Sequence, residues 1–404
     1  MVKKEKEVSQ NGDVAVIGVG MYPYGKYPDK TPQELGVHVI REALKDAGID
    51  WKDVQAMAAS CSYNLSGGVG HLPGHYFAQS FGETGIPIVN VSNACASGGS
   101  ALRAIRAMIN SGLCDIGIAV GVDICPGGFY RSFGGSAEWD VDYVRWRGVG
   151  MENPSYWALE CRRRMAEYGT TEEDLALTKV VSSRHAQYNP YARYKKVFTV
   201  EEVLASPMVC SPLRVVELCP TSDGAAAAIL CSMKKARQLT TKPIVLTGCS
   251  LTSSTYGDPT LRITQLSAPA KAEAPLLSDA VLAFNIAYEE AGIGPEDLSF
   301  AELPDNSAWH YLVYMEAASI CKPGEAEKLL REGATAIGGK IPVSPSGGPS
   351  SLGEAYPAQG IAQMCEMTWQ LRGEAGKRQV EEAKVALGQT YGAQGNSSAI
   401  IMKR

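Results

Sequence analysis

The chain has 404 residues, 45% hydrophobic and 20% charged, with a formal net charge of −5. That length can bury a large core and suggests about two or three domain-sized units in an ordinary soluble globular protein. The acidic balance offers no basic surface for nucleic acid, no run of about 18 apolar residues provides a membrane span, and the charged start Met1-Val-Lys-Lys-Glu-Lys-Glu7 lacks the apolar stretch of a signal peptide.

Val14-Ala-Val-Ile-Gly18 reads as a first buried strand. Gly18-Val-Gly20 after it is too short a match to suggest a dinucleotide site. A helix is expected from Thr31, with Thr31 as N-cap, Pro32 at the first position, Glu34 closing a capping box and Gly48 as the stop. Strands follow at 54–59, 86–91 and 116–122, with a helix over 101–110 between the last two. This strand–helix–strand order predicts a parallel sheet covered on both faces.

Cys95 sits in Asn90-Val-Ser-Asn-Ala-Cys-Ala-Ser-Gly-Gly-Ser100, where a β-branched run stops at a turn of small residues and a helix begins. Free N–H groups and the helix dipole favour a thiolate at such a place. Small neighbours let a substrate carbonyl approach, and the Cys95 amide can help to hold an oxyanion. The alternative is a small buried hydrophobe, the usual fate of a free cysteine. The 11 cysteines are scattered and form no Cys-x-x-Cys pair. That spacing argues against a zinc ribbon or metal cluster in this chain, and reduced thiols in the cytoplasm are the expectation. His71 and His75 lie in a Gly-rich loop before the cysteine strand and read as packing or contact residues.

Residues 124–212 are rich in Tyr and Arg and weakly periodic, and they read as an inserted loop domain over a site. A pattern from the first half then returns. Ala43, Ala47, Gly48, Ile49 and Asp53 match Ala287, Ala291, Gly292, Ile293 and Asp297 at a constant offset of 244. Each copy is a helix end, a glycine stop, a loop and the next strand, which implies a duplicated unit. The second copy continues through strand 298–303, helix 309–319, a Gly/Pro/Ser-rich turn over 338–353, helix 357–373 and strands at 384–387 and 399–402.

A duplicated α/β unit with a cysteine at a strand–helix turn resembles the thiolase superfamily, in particular the sterol-carrier-protein type. The Cys95 stretch carries the likeness together with three others. These are Cys219-Pro-Thr-Ser-Asp-Gly-Ala-Ala-Ala-Ala-Ile229, Gly338-Gly-Lys-Ile-Pro-Val-Ser-Pro-Ser-Gly-Gly348, and Trp369-Gln-Leu-Arg-Gly-Glu-Ala-Gly-Lys-Arg-Gln379 with Val385-Ala-Leu387. The resemblance spans about residues 13–404. It implies an α/β thiolase fold, a duplicated five-layered α-β-α-β-α core with the insertion. The expected parts are 13–123 with 213–246, the insertion 124–212, and 247–404.

By the same resemblance, Cys95 takes an acyl group from an acyl-CoA, and its amide pairs with that of Gly392 in an oxyanion hole. The Ser346-Gly347-Gly348 turn would lie near the bound thioester, with a turn packed only for shape as the alternative. CoA would be the co-substrate, with no covalently bound cofactor and no metal. A homodimer is implied, and members that lack the usual histidines often work with a small zinc-ribbon/OB-fold subunit.

The sequence also departs from the family. The usual Gly-His-Pro motif reads Gly353-Glu354-Ala355-Tyr356-Pro357, the His-Asp-Cys-Phe stretch reads Pro304-Asp305-Asn306-Ser307, and the C-terminal cysteine is replaced within Gln389-Thr390-Tyr391-Gly392. Glu354 can act as base if burial raises its pKa. Tyr356, Tyr391 or Asn306 can donate to an oxyanion or enolate. His310 lies near Asp305 in the chain and can swing in, unless it only packs a helix. Three functions compete on these residues. One is thiolytic cleavage of a 3-oxoacyl-CoA, with a branched or aromatic substrate such as 2-benzoylsuccinyl-CoA. The second is retro-aldol cleavage of a 3-hydroxyacyl-CoA of the steroid side-chain type. The third is a non-catalytic acyl-CoA-binding subunit.

Overall fold

The computed structural model describes residues 12–61, 71–125, 152–239, 243–255, 277–392 and 395–404. In the first half the strands are β1 (Val14–Gly25), β2 (Ala56–Cys61), β3 (Ile88–Asn90) and β4 (Ile116–Asp123). A short hairpin, β5 (Met208–Cys210) and β6 (Leu213–Arg214), precedes β7 (Asp223–Ser232) and β8 (Ile244–Ser253). The chain closes with β9 (Phe300–Glu302), β10 (Val385–Gly392) and β11 (Asn396–Lys403).

The first helix, α1 (Pro32–Ala47), starts where the sequence says it should. Thr31 and Glu34 form the reciprocal capping box, and Gly48 at φ 65° ends it. Its duplicate, α8 (Ser278–Ala291), ends on Gly292 at φ 60°. Each is followed by one 3-10 turn, Trp51–Asp53 and Pro295–Asp297, and then a strand. The remaining helices are α2 (Pro73–Gln79), α3 (Ser97–Asn110), α4 (Asn153–Tyr168), α5 (Glu172–Ala186), α6 (Val200–Leu204), α7 (Met233–Leu239), α9 (Ala308–Ala317), α10 (Ala326–Arg331), α11 (Gly348–Leu352) and α12 (Gln359–Arg372).

Nine strands hydrogen-bond in the order β3-β2-β4-β7-β1-β8-β11-β10-β9. The expected parallel sheet is corrected to a mixed one. β2 runs parallel to β3 and β4, and β9 to β10, but every pairing from β4 through β7, β1, β8 and β11 to β10 is antiparallel. The reason lies in the connections. Strand–helix–strand crossovers govern β2, β3 and β4 in the first half and β9 and β10 in the second, whereas β7 enters after the long 124–212 excursion and is free to run the other way.

The layers follow from which helix packs where. α1 and α2 cover the outer face of the first half, and α8 covers the outer face of β8 and β11. α3 and α12 touch each other between the two halves of the sheet. Three apolar clusters fill the spaces, among them Val39, Ile40 and Phe77 outside the first half, Leu102, Ile105, Ile361 and Met364 in the middle, and Phe284, Trp309 and Leu312 outside the second. Each such side chain contributes about 1.5–3 kcal/mol of transfer free energy.

The central helices meet through bare backbone. A Cβ on Gly98 would lie 3.1 Å from the backbone nitrogens of Gly360 and Ile361, and one on Gly121 would lie 2.3 Å from Pro357 O. Ser60 Oγ donates to that same carbonyl at 3.0 Å. The small residues after Cys95 thus serve a packing need.

Within 124–212, residues 126–151, with their Phe129-Tyr130-Arg131 and Tyr143–Arg147 stretches, lie outside the described residues. The rest is not loop: it holds α4, α5 and α6. Capping boxes Thr171/Asp174 and Thr199/Glu202 start the last two. Weak periodicity hid α5, because it is buried on most of its surface. Tyr191 of this region stacks on Trp369 of α12, with ring centroids 4.8 Å apart.

Candidate active site

Five chain segments converge at the N-terminal end of α3. The first is the Cys95 turn. Ala94 adopts φ +46°, a conformation that a residue with a Cβ rarely takes. Ser97 Oγ ties the turn by accepting from Asn93 N at 2.8 Å and donating to Ala94 O at 2.6 Å. Asn93 Nδ2 donates to Ser100 Oγ at 3.1 Å. No side chain caps α3; its entry is closed by backbone instead, with Ala96 N donating to Asn93 O at 3.1 Å and Ser97 N to Ala94 O at 3.0 Å.

The second segment brings Glu354. Gly353 sits at φ +89°, and a Cβ there would lie 1.9 Å from Ser222 Oγ, so glycine is required. Glu354 N donates to Pro220 O at 2.7 Å, and Ser222 N donates to Glu354 O at 3.0 Å. The Cys219-Pro-Thr-Ser stretch, the third segment, is therefore the backbone partner of Gly353-Glu354. The fourth is 305–307, where Asn306 O accepts from Cys219 N at 2.9 Å.

Cys95 Sγ donates to Glu354 Oε1 at 2.9 Å. Cys219 Sγ donates to Glu354 Oε2 at 3.4 Å, and Asn306 Nδ2 reaches Cys219 Sγ at 3.6 Å. Burial pushes the Glu354 pKa above its ordinary value, opposed by the hydrogen bonds from Cys95, Cys219 and Asn306. Burial and the neighbouring Glu354 charge raise the Cys95 thiol well above its usual range. The expected thiolate at the helix N-terminus is thus corrected: the carboxylate and desolvation outweigh the helix dipole, and the resting sulfur is a thiol beside a base.

The fifth segment is the end of β10. A Cβ on Gly392 would lie 2.7 Å from Asn93 O, so its backbone abuts the Cys95 turn. Tyr391 is close enough to Glu354, Cys95 and Cys219 for their charges to raise its pKa further, after burial and Tyr314. Its ring stacks on His310 at 5.0 Å and on Tyr314 at 5.5 Å.

The structure thus brings Cys95, Glu354, Asn306, Gly392 and Tyr391 together. His310 is one ring further away. Its Nδ1 pairs with Ser307 Oγ at 2.7 Å, and burial lowers its pKa to about 3, so it is neutral and packed behind Tyr391. Tyr356 is buried in the turn before α12, where its carbonyl accepts from Gln359 N at 3.4 Å.

Ser346, Gly347 and Gly348 form a buried, packed turn. Ser346 N and Oγ donate to Glu302 at 2.9 and 2.6 Å, and a Cβ on Gly347 would meet Ala186, while one on Gly348 would meet the Asp305 carboxylate. These contacts fit the shape-packing alternative. His75 is exposed on α2, with Nδ1 at 3.3 Å from Asn90 Nδ2. Sequence reasoning missed Cys219 as a site residue. Its signal was present in the quoted Cys-Pro-Thr-Ser motif, but nothing in spacing places it opposite Glu354. Among the described residues, no cluster of three or more His, Cys, Asp or Glu has the arrangement of a metal site, and no helix is long and apolar enough to cross a membrane.

The chain is similar to known proteins along most of its length. Residues 14–125 match the family model described as thiolase, N-terminal domain, and residues 264–404 match thiolase C-terminal domain-like. An acetyl-CoA acetyltransferase of Methanothermobacter thermautotrophicus is 36% identical over 96% of this chain and 98% of its own. The benzoylsuccinyl-CoA thiolase subunit BbsB of Thauera aromatica is 33% identical over 91% of each chain. Among solved structures, an Ltp2-ChsH2(DUF35) aldolase superposes with TM-score 0.82 at 24% identity, covering 97% of this chain and 98% of its own, a likeness of fold.

Proposed function

The chain belongs to the thiolase family of acyltransferases, and on that premise we propose that it cleaves a 3-oxoacyl-CoA with CoA through an acyl-enzyme on Cys95. One observation carries this reading: the Cys95 thiol lies 2.9 Å from a buried carboxylate, Glu354, where the family's motif has histidine. Glu354 takes the thiol proton as the sulfur attacks C3. The oxyanion that forms is held by the backbone N–H groups of Cys95 and Gly392. Tyr391, kept protonated by its raised pKa, is a further donor.

The substrate proposed is branched at C2 or aromatic, as 2-benzoylsuccinyl-CoA is. The benzoylsuccinyl-CoA thiolase subunit among the relatives supports that choice. A homodimer is proposed, with a small zinc-ribbon/OB-fold partner that helps to hold CoA. The pairing of Ltp2 with ChsH2(DUF35) in the aldolase neighbour supports the second subunit. The test is incubation with acetyl-CoA and benzoyl-CoA, followed by mass analysis of the peptide carrying Cys95. The expected result is a mass increase of one acyl group that Cys95→Ser abolishes. An unmodified Cys95, or full turnover by Cys95→Ser, refutes the reading.

A second reading is retro-aldol cleavage of a 3-hydroxyacyl-CoA. Tyr391 and Tyr314 favour it, as two buried phenols whose raised pKa values are influenced by Cys95. Comparing 3-oxo with 3-hydroxy substrates separates the two. Cleavage of the 3-hydroxy compound that survives Cys95→Ser selects the aldolase.

A further inference from the structure

Cys219 stands inside the site and has no part in the acylation step. One carboxylate joins two thiols there: Cys95 donates to Oε1 of Glu354 at 2.9 Å, and Cys219 donates to Oε2 at 3.4 Å. In both bonds the thiol donates and a carboxyl oxygen accepts. Asn306 holds Cys219 through two groups: its backbone carbonyl accepts from Cys219 N at 2.9 Å, and its Nδ2 donates to Sγ at 3.6 Å. A thiol with a carboxylate to exchange protons with, and an amide donor to steady its thiolate, is equipped for acid–base work.

Cleavage requires a second proton movement beyond the one that frees the Cys95 sulfur, because C2 of the departing acyl-CoA must be protonated. His310 is stacked behind Tyr391, and the proton that Glu354 takes from Cys95 has a route onward through Cys219, which bonds the other carboxyl oxygen. We propose that Cys219 is the acid–base group that serves C2, a role that rests on the Cys95 acyl-enzyme reading.

The steps balance. The Cys95 thiol gives its proton to Glu354, and its sulfur bonds to C3 as the C2–C3 bond breaks. The electron pair left on C2 takes the proton of Cys219. The Cys219 thiolate then takes the proton held by Glu354, which restores thiol and carboxylate. In the second half, the thiol of CoA gives its proton to Glu354 and its sulfur attacks the acyl carbonyl. Cys95 leaves as thiolate and recovers that proton.

The test uses the full chain with acetyl-CoA, isotopically labelled CoA and D2O. Exchange of labelled CoA into acetyl-CoA reads Cys95 acylation alone. Deuterium wash-in at C2 of acetyl-CoA reads the C2 base. In Cys219→Ser, which keeps shape but has no acidic proton near neutral pH, wash-in falls relative to exchange by about 100-fold or more. Cys219→Ala gives the same split and shows that a lost hydroxyl-sized group is not the cause. Equal losses of both rates, or unchanged wash-in, overturn the assignment. A wild-type protein that neither exchanges label nor acylates Cys95 refutes the acyl-enzyme reading itself, and that outcome is read before any substitution is made.

Discussion

Glu354 and Cys95 are 259 positions apart in the chain, yet their side chains meet at 2.9 Å at the head of α3. The contact replaces the imidazole that thiolase motifs supply with a carboxylate whose pKa is lifted by burial.

That substitution predicts a distinct pH profile. Acylation of Cys95 needs Glu354 ionised, so its rate rises with pH through a pKa above the ordinary 4.5. Because the Cys95 thiol itself titrates far higher, no second limb from its ionisation appears near neutral pH. Glu354→Gln removes the limb and slows acylation by about 100- to 10,000-fold. Rapid-quench mass analysis of the Cys95 peptide across pH checks this; an unchanged profile in Glu354→Gln rules out Glu354 as the base.

The bare-backbone contact between β4 and the turn before α12 gives a stability test. A Cβ on Gly121 would lie 2.3 Å from Pro357 O and 2.7 Å from Ala358 Cα, and backbone atoms yield little. Gly121→Ala is expected to cost about 1–3 kcal/mol in urea unfolding. It also shifts Pro357, three residues after Glu354, and so slows acylation. Wild-type stability in this variant would show that the crossing is loose.

Arg164 ties α4 to the second half through two carboxylates. Its Nε donates to Glu327 at 2.7 Å and its Nη1 to Glu316 at 2.8 Å, with all three side chains at most 10% exposed. Arg164→Ala leaves two buried carboxylates with their cation gone, an expected loss of about 3–5 kcal/mol. Arg164→Ala together with Glu316→Gln and Glu327→Gln regains much of it. Equal stability of the single and triple variants contradicts the account.

Glu302 predicts a pH dependence of stability. Burial and the nearby Glu366 charge push its pKa up to about 8. A raised folded-state pKa means the protonated form is favoured on folding. That contribution is complete below about 4.5 and is lost as pH rises toward about 8. His185 and His310, lowered to about 4 and about 3, act in the opposite sense, giving up stability as pH falls below 6.5. The difference in melting temperature between wild type and Glu302→Gln isolates the carboxyl. It should shift in favour of the variant from pH 5 to pH 8, and a constant difference would place the Glu302 pKa in the ordinary range.

The parts of this molecule governed by local chemistry could be read from the chain. Thr31, Pro32, Glu34 and Gly48 mark α1 because caps are local, and the Gly48/Gly292 copies revealed the duplication because both glycines take the same left-handed turn. Cys95 announced itself by its small neighbours. What was not legible depended on distant partners. The strand direction of β7 follows a long excursion, α5 shows little periodicity because it is buried on several sides, and Cys219 joins the site only because 219–222 runs beside 353–354. The Ser346-Gly347-Gly348 turn left both binding and shape packing open in sequence, because its contacts with Glu302 and Asp305 are made by residues over 40 positions away.

Since the sulfur and its carboxylate belong to opposite halves, joined where helices touch without side chains between them, a ribosome-bound or half-folded chain holds a commonplace cysteine. The carboxylate reaches that sulfur only once the two halves have closed on each other.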